Sequence, residues 1–328
     1  MAPAPLVIFA PSPMLTVTIE ATGSRQPEIH LHAGGQGFWV GHLTALLGAE
    51  VTLCCALGGE PGAVLCTLMA RQQINVRGVE TSGWNGVYVH DRREGRRREV
   101  ARTTARALSR HEVDELYGIT FSAGLDAQVV LLTGSDPPEL LDCGIYQRLA
   151  ADLRGNGRTV IADLSGGALA AALRGGLDLV KVSEEDLIAD GRTTSSGESD
   201  VAACLPKLHA AGARTVLISR ADQPALAYDG NTNRALRLTG PRVEAVEPRG
   251  AGDSMFAALG ASLASGADML EAMRLAMAAG CLNATRHGLG TGTAQEIRQL
   301  SAHVTVEELA LGTPGAATAP NTSKTDGM

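Results

Sequence analysis

The stretch "EPRGAGDSMFAALGASLASG", residues 247–266, decides the fold prediction, because it places three small residues between an extended segment and an apolar helix. The turn Gly250–Gly252 is expected to present backbone N–H groups at the start of that helix, where the helix dipole also favours negative charge. Such a helix start is a preformed site for a phosphate group. Asp253 follows the turn, so its carboxylate is placed to accept a proton from a hydroxyl group that attacks a bound phosphate. The alternative is that Asp253 simply caps the helix.

Short apolar segments alternate with helical patterns along the rest of the chain. "QVVLLTG" (128–134), "RTVIADL" (158–164) and "LDLVKVS" (177–183) are bounded by Gly, Asp or Pro, as expected of buried strands. "CGIYQRLAADLRGNG" (143–157) has the pattern of an intervening helix. Strands joined by crossover helices indicate an α/β protein with a mostly parallel central sheet that is covered on both faces.

Two regions depart from this alternation. Residues 14–32 and 84–102 alternate with a period of two, and "REGR" in the second region suits a hairpin turn, so we predict exposed strands outside the main core. Residues 313–328 are rich in Pro, Ala, Thr and Ser, and we expect a disordered tail there. Residues 1–312 are therefore predicted to form the folded domain.

The composition limits the classes of function. The 328 residues carry 28 Lys and Arg against 35 Asp and Glu, a net charge of -7 that gives no sign of nucleic-acid binding. The six cysteines form no zinc-binding or disulfide pattern, and they are typical of a reducing cytoplasm. The apolar run near the N-terminus is too short for a signal peptide or a membrane span, so we expect a cytoplasmic protein without a membrane partner.

Five ordered motifs together resemble the ribokinase-like (PfkB) carbohydrate kinase family, and most closely its 1-phosphofructokinase and tagatose-6-phosphate kinase branch. The first is the Gly-rich helix start "HAGGQGFWVG" (32–41), and the last is the opening stretch itself. Between them, "LLTGSDPPEL" (131–140) is similar to the family's Gly-Ser-Leu-Pro-Pro turn. "ADLSGGALAAAL" (162–173) and "LVKVSEEDL" (179–187) are similar to its Asp-Thr-Ser-Gly and Lys-Pro-Asn-x-x-Glu-Leu segments. The resemblance covers about residues 5–305.

The resemblance implies a ribokinase-like fold with a small β lid, formed near residues 14–32 and 84–106, through which two copies would form a homodimer. It also implies transfer of the γ-phosphoryl group of ATP, with Mg²⁺, to a hydroxyl group of a sugar or sugar phosphate. Asp253 would be the catalytic base, and Gly250, Ala251 and Gly252 would form the anion hole. Substrate-binding positions would be Thr16, Gly34, Gly35, Gln36, Trp39 and Ser135. ATP-binding positions would be Lys181, Ser183, Ser219, Arg220 and Gly252, and metal-binding positions Glu185 and Asp186.

Several of these positions differ from the family pattern. Gln36 and Trp39 replace a Lys and a sugar-binding Asn, and Thr16 replaces an Asp that grips sugar hydroxyls. An indole has a single donor, so Trp39 would instead offer an aromatic face to a different acceptor, or the site has decayed. Ser183 replaces the Asn of Asn-x-x-Glu, and Asp186 is one methylene shorter than the Glu. In the turn that resembles the family's Ser/Thr-x-Gly-x-x-Gly, Ala221 and Pro224 replace the two glycines, and Arg220 either contacts the ATP phosphates or faces solvent.

The hairpin "DRREGRRREVARTTAR" (91–106) is rich in arginine. Most of these side chains are expected to be solvated, and one or two would reach the substrate's phosphate group, as a lid arginine does in the kinases that this chain resembles. The leading hypothesis is an ATP-dependent carbohydrate kinase. The alternative is a member that has lost activity and acts as a nucleotide- or sugar-binding regulatory protein. A nicotinamide-dependent enzyme is disfavoured, because "GGQGFWVG" lacks the G-x-G-x-x-G spacing.

Overall fold

The computed structural model describes residues 4–21, 26–286 and 292–311, which form two β-sheets and the helices around them. The strands are β1 (Pro5–Phe9), β2 (Met14–Glu20), β3 (Glu28–Gly34), β4 (Glu50–Gly58), β5 (Asn75–Thr81), β6 (Val87–Asp91), β7 (Arg98–Thr103), β8 (Val129–Thr133), β9 (Thr159–Asp163), β10 (Leu177–Ser183), β11 (Ala213–Arg220), β12 (Gln223–Asp229), β13 (Arg234–Thr239) and β14 (Thr305–Glu308). The helices are α1 (Gln36–Leu46), α2 (Gly59–Ala70), α3 (Arg110–Asp126), α4 (Gly144–Gly155), α5 (Gly166–Gly175), α6 (Glu184–Ala189), α7 (Glu198–Ala202), α8 (Cys204–Ala210), α9 (Ala251–Ala264), α10 (Met269–Ala284) and α11 (Ala294–Ser301).

The larger sheet has ten strands in the order β14-β13-β12-β11-β10-β9-β8-β1-β4-β5. Strands β5, β4, β1, β8, β9, β10 and β11 pair in parallel, and the three strands at the other edge pair antiparallel. All five residues of β8 are buried, which explains why its sequence is a continuous apolar run. The predicted mostly parallel sheet is confirmed.

The core lies on both faces of this sheet. Successive residues of β1 point to opposite faces, so that Leu6 and Ile8 join one buried cluster while Val7 and Phe9 join the other. Helices α1, α9 and α10 supply the first cluster, and helices α3, α4, α5 and α8 supply the second. Helix α9 is thereby held by its apolar residues, of which Phe256 and Leu259 are fully buried.

The smaller sheet is the predicted lid, with the strand order β3-β2-β6-β7. Strands β6 and β7 are antiparallel and enclose the turn at Gly95, where "REGR" stands. The tail that we expected at residues 313–328 lies outside the described residues. In the three described ranges of the chain, no helix has both the length and the apolar character that crossing a membrane requires.

The carboxyl ends of the central strands define one edge of the main sheet. Strands β8, β9, β10 and β11 run in the same direction and end at Thr133, Asp163, Ser183 and Arg220. In open α/β sheets, ligands bind beyond this edge.

Candidate active site

An open cavity of about 300 Å³ lies at the carboxyl edge of the main sheet. The loops after β1, β8 and β9 and the starts of α1 and α5 line it, together with a residue of α6. Its polar lining includes Ser12, Gln36, Ser135, Asp136, Asp163 and Asp186. The cavity therefore brings together residues from motifs that are more than a hundred positions apart in the sequence.

Lys181 and Asp163 form an ion pair where β10 and β9 end. The Nζ of Lys181 donates to Oδ2 of Asp163 at 3.0 Å, and the two side chains are only 5% and 7% exposed. Burial alone would lower the pKa of Lys181, but the carboxylates of Asp163, Asp253 and Asp186 together hold that pKa above its usual value. Lys181 is therefore a fixed positive charge among three carboxylates.

Helix α9 begins directly beside this ammonium group. A Cβ atom at position 252 would lie 2.8 Å from Lys181 Nζ, which is closer than Cβ atoms normally approach another atom. Glycine at position 252 therefore lets the ammonium group reach the first turn of α9. The predicted anion-binding turn and the predicted ATP-binding lysine lie together.

Some of the backbone N–H groups in the first turn of α9 are bonded within the turn, and others are not. Gly250 is the N-cap, in the left-handed region with φ 78°, and the N–H of Ala251 donates to the Pro248 carbonyl at 3.2 Å. The N–H groups of Gly252 and Asp253 belong to the first helical turn, where a helix supplies no acceptor for them. Of the predicted anion hole, Gly252 offers its N–H to a ligand and Ala251 uses its own within the turn.

Asp253 is the third residue of α9, not its N-cap, and within the described part of the chain no side chain caps this helix. The geometry does not support the alternative that Asp253 is simply a helix cap. Burial, followed by the charge of Asp163, raises the pKa of Asp253 to about 7, although Lys181 acts in the opposite direction. A carboxyl group that titrates near neutral pH suits general acid–base catalysis, in which it gains and loses a proton in each turnover.

Gln36 connects two strand ends at the floor of the cavity. Its Oε1 accepts from the N–H of Gly134 at 2.8 Å, and its Nε2 donates to the carbonyl oxygen of Asp163 at 3.5 Å. Gly35 caps α1 with φ 91°, a conformation that disfavours any side chain. Gly35, Gln36 and Ser135 are the predicted substrate-binding residues that line the cavity.

Trp39 lies elsewhere. Trp39 belongs to α1, and its half-buried ring packs edge-on against Phe38, with centroids 5.1 Å apart, and against the core. Thr16 and Gly34 are diagonal neighbours on the paired lid strands β2 and β3, where a Cβ at Gly34 would come 2.6 Å from Thr16 Oγ1. Among the described residues, the cavity lining does not include Trp39, Thr16 or Gly34. The expected aromatic face for the acceptor is therefore absent from this cavity.

Ser183 and Asp186 form a capping box at the start of α6. Ser183 Oγ donates to Asp186 Oδ2 at 2.5 Å and accepts from the Asp186 N–H at 3.0 Å. Asp186 also lines the cavity, so its carboxylate faces the site, whereas Glu185 is exposed to solvent and does not line it. Of the two predicted metal-binding residues, only Asp186 lies in the cavity.

Arg220 takes part in a different interaction from the one expected. Its Nε donates to Glu184 at 2.8 Å, its two terminal nitrogens reach Glu198 and the carbonyl of Ser196, and its side chain is only 5% exposed. The guanidinium group neither faces solvent nor points freely towards a nucleotide. Ser219, the neighbouring predicted ATP-binding residue, pairs with Ser183 across β11 and β10.

Most arginines of the lid hairpin are solvated or paired within the hairpin. Arg93 and Arg98, for example, both bind Asp91. Arg102 differs, because its guanidinium group makes a short contact with Asp136, which lines the cavity. Arg102 is therefore the lid arginine with a direct link to the candidate active site.

Sequence reasoning did not single out Asp163 or Asp136. Both stand in segments that resemble family motifs, and Asp163 directly ends a buried strand. The rule that functional side chains follow the carboxyl ends of parallel strands would have found Asp163. No sequence signal connects Asp136 with Arg102, which is 34 positions away.

Comparisons with known proteins agree on one family. The sequence model of the pfkB family carbohydrate kinases matches residues 12–296. The ATP-dependent 6-phosphofructokinase isozyme 2 of Escherichia coli is 30% identical over 251 residues, which are 75% of this chain and 80% of that protein. The D-tagatose-1-phosphate kinase of Bacillus licheniformis is 27% identical over 259 residues, 78% of this chain and 83% of that protein. The crystal structure of phosphofructokinase-2 from Escherichia coli with potassium superposes with a TM-score of 0.77 at 26% identity, covering 92% of this chain and 99% of the other.

Proposed function

The chain belongs to the pfkB family of carbohydrate kinases, and on that premise we propose that it transfers the γ-phosphoryl group of ATP to a hydroxyl group of a ketohexose monophosphate. The observation that carries this proposal is the position of Asp253, in the first turn of α9 and beside the buried pair of Lys181 and Asp163. The choice of acceptor follows the two relatives, which are a 6-phosphofructokinase and a D-tagatose-1-phosphate kinase.

Asp253 is the general base in this mechanism. The acceptor oxygen forms a bond to the γ-phosphorus as its proton passes to Asp253, and the bond from that phosphorus to the oxygen bridging the β- and γ-phosphates breaks to release ADP. A pKa of about 7 leaves much of Asp253 ionised at neutral pH, so that it is ready to accept the proton. A permanently ionised carboxylate would repel the triphosphate more strongly.

The charge on the transferred group is stabilised by fixed dipoles and by Lys181. The N–H groups of Gly252 and Asp253 lie at the positive end of the α9 dipole. The Lys181 ammonium group is held against the same turn by Asp163. These groups need no rearrangement when charge develops, which is how a preorganised site lowers a barrier.

Asp186 is the residue proposed to hold Mg²⁺, which would shield the phosphate charges. In the described parts of the chain, no cluster of three His, Cys, Asp or Glu side chains could hold a metal ion unaided. This arrangement fits Mg²⁺, which commonly binds through one or two carboxylates, several waters and the phosphates of the substrate. Glu185 is not retained in this role, because it is exposed to solvent and does not line the cavity.

The lid supports a further proposal about assembly. Ile29, Leu31 and Val100 are 62%, 46% and 52% exposed, although they lie on lid strands. Exposed apolar side chains on one sheet suit contact with another copy of the same sheet, so we propose a homodimer through the lid. We also propose a cytoplasmic location, because all six cysteines are free thiols.

The test is an ADP-release assay of the purified protein with ATP and Mg²⁺ against a panel of ketohexose monophosphates, free sugars and nucleosides. We expect ADP release to depend on a ketohexose monophosphate and to be lost in Asp253→Asn. Turnover with free sugars alone would show that the proposed acceptor is wrong. No turnover with any acceptor, combined with nucleotide binding, would instead support a regulatory protein.

A further inference from the structure

Arg102 and Asp136 meet at the mouth of the cavity, where the lid faces the main sheet. Arg102 belongs to the lid strand β7, and Asp136 follows β8 in the turn that lines the cavity. Their side chains contact each other directly, although each remains 40% to 46% exposed. The backbone N–H of Asp136 donates to Ser12 Oγ at 2.8 Å, which fixes the turn independently of the carboxylate.

The charges around the cavity give this pair its significance. The described lining residues include the carboxylates of Asp136, Asp163 and Asp186 and contain neither Lys nor Arg. Lys181 lies below and is held by Asp163. Arg102 reaches a lining residue from the lid, which makes it a cation available to an anionic group at the mouth, and in this structure it is paired with Asp136.

Asp136 brings a negative charge to the turn "GSDPP" at the cavity, in contact with Arg102. Resting on the proposed function, we propose that Asp136 is a specificity-determining residue that holds Arg102 at the cavity mouth until the phosphate group of the acceptor displaces it. A free sugar carries no charge with which to make this exchange, so Asp136 lowers the affinity for phosphorylated acceptors alone.

Relative interaction strengths make this exchange favourable. A solvent-exposed ion pair such as Arg102 with Asp136 contributes little to stability, because water screens it. A guanidinium group binds a phosphate with two parallel charge-assisted hydrogen bonds, which are stronger. The phosphate group therefore displaces Asp136 from Arg102, but the released carboxylate of Asp136 then repels the phosphate.

The test compares acceptor KM values in three variants. Asp136→Asn keeps the shape and the backbone contact to Ser12, and it should lower the KM for the ketohexose monophosphate roughly 3- to 10-fold with the KM for ATP unchanged. Arg102→Gln should raise the KM for the same acceptor roughly 10- to 100-fold. The matched control is Glu139→Gln, which removes the same charge from the same turn at an exposed position outside the cavity lining.

A higher acceptor KM in Asp136→Asn would overturn the proposal, because it would mean that Asp136 itself binds the acceptor. A KM equal to that of Glu139→Gln would overturn it as well.

A second measurement separates this proposal from the proposed function, because it needs no turnover. Sulfate should raise the melting temperature of Asp136→Asn more than that of the wild type. In the double variant Asp136→Asn with Arg102→Gln, this extra rise should disappear. Equal sulfate shifts in wild type and Asp136→Asn would count against the proposal, even if the protein phosphorylates a sugar phosphate.

Discussion

Lys181 and Asp163 are joined by a 3.0 Å hydrogen bond between two buried charges, one at the end of β10 and the other at the end of β9. A buried ion pair is weak evidence of stabilisation, since desolvation of the two charges offsets much of their attraction. Its position beside Gly252 gives it a different role, because it fixes a positive charge at the start of α9. The pair therefore connects the core of the main sheet to the chemistry of the site.

We predict that Asp163→Asn destabilises the protein and impairs catalysis together. Asp163→Asn removes the hydrogen-bonded partner of Lys181 and leaves only Asp253 and Asp186 to offset its buried charge, which costs about 3 kcal/mol in the free energy of unfolding. The double variant Asp163→Asn with Lys181→Met should be less destabilised than the two single losses combined, because it removes both members of the pair. Urea denaturation measures the stability, and ADP release measures kcat.

The control is the exposed pair of Arg234 and Glu308, whose side chains are more than half exposed. Glu308→Gln should change the stability by less than about 1 kcal/mol and leave kcat unaltered. If Asp163→Asn were as mild as this control, the Lys181–Asp163 pair would have no special role.

We predict that Gly252→Ala reduces activity more than stability. The added Cβ would lie 2.8 Å from Lys181 Nζ, so the ammonium group must move away from the first turn of α9. Alanine is itself favourable in a helix, which offsets part of the strain. The kcat should fall by about tenfold or more, since a single misplaced electrostatic group has that effect.

The matched control for this variant is Gly118→Ala in the middle of α3, where a new Cβ would meet no atom within 4 Å. That substitution should raise the stability by about 0.5 to 1 kcal/mol and leave kcat unchanged. Normal turnover in Gly252→Ala would mean that Lys181 does not act at the helix start.

We predict that Arg220→Met lowers stability without weakening ATP binding. The guanidinium group is bound to Glu184 and Glu198, and its loss leaves Glu184 without this partner in a partly buried place, whereas Glu198 keeps its contact with Arg237. Because both carboxylates retain some exposure, the loss of unfolding free energy should be about 2 to 3 kcal/mol, below the range for fully buried pairs. Calorimetric titration with ATP and Mg²⁺ should give an unchanged Kd. A large rise in that Kd would restore the interpretation of Arg220 as a phosphate ligand.

The fold could be predicted from local patterns, whereas the side-chain partners could not. The continuous apolar run of β8 indicates a strand that is buried on both faces, and all five of its residues are buried. The period-two segments predicted strands outside the main core, and β2 and β6 are mostly half-buried strands of the smaller sheet. The ion pairs of Arg220 could not be predicted, because its partners lie 36 and 22 positions away in the sequence. The packing of Trp39 could not be predicted either. Its place in the family motif suggests a ligand contact, and in the structure its ring packs against the core.

We predict that Asp253 makes the reaction depend on pH. With a pKa of about 7, Asp253 should make kcat/KM rise with pH and level off above about pH 7, where the base is ionised. Asp253→Asn should lower kcat by about 10²- to 10⁴-fold and remove this pH dependence. ATP affinity should hold or rise slightly, because a negative charge beside the phosphates is removed.

Stability provides an independent reading of the same carboxyl group. Folding raises the pKa of Asp253 from 3.8 to about 7. The protonated carboxyl group therefore stabilises the folded wild type below about pH 4, the pKa of the unfolded chain, and this contribution is lost as the pH rises to 7. The stability of Asp253→Asn relative to the wild type should therefore increase between about pH 4 and pH 7 and stay constant above pH 7.

The control is Asp268→Asn, since Asp268 is a true N-cap on α10 and lies in solvent. It should show neither the loss of turnover nor the growing stability difference. Wild-type turnover in Asp253→Asn, or a stability difference that does not change with pH, would show that Asp253 is not the buried base.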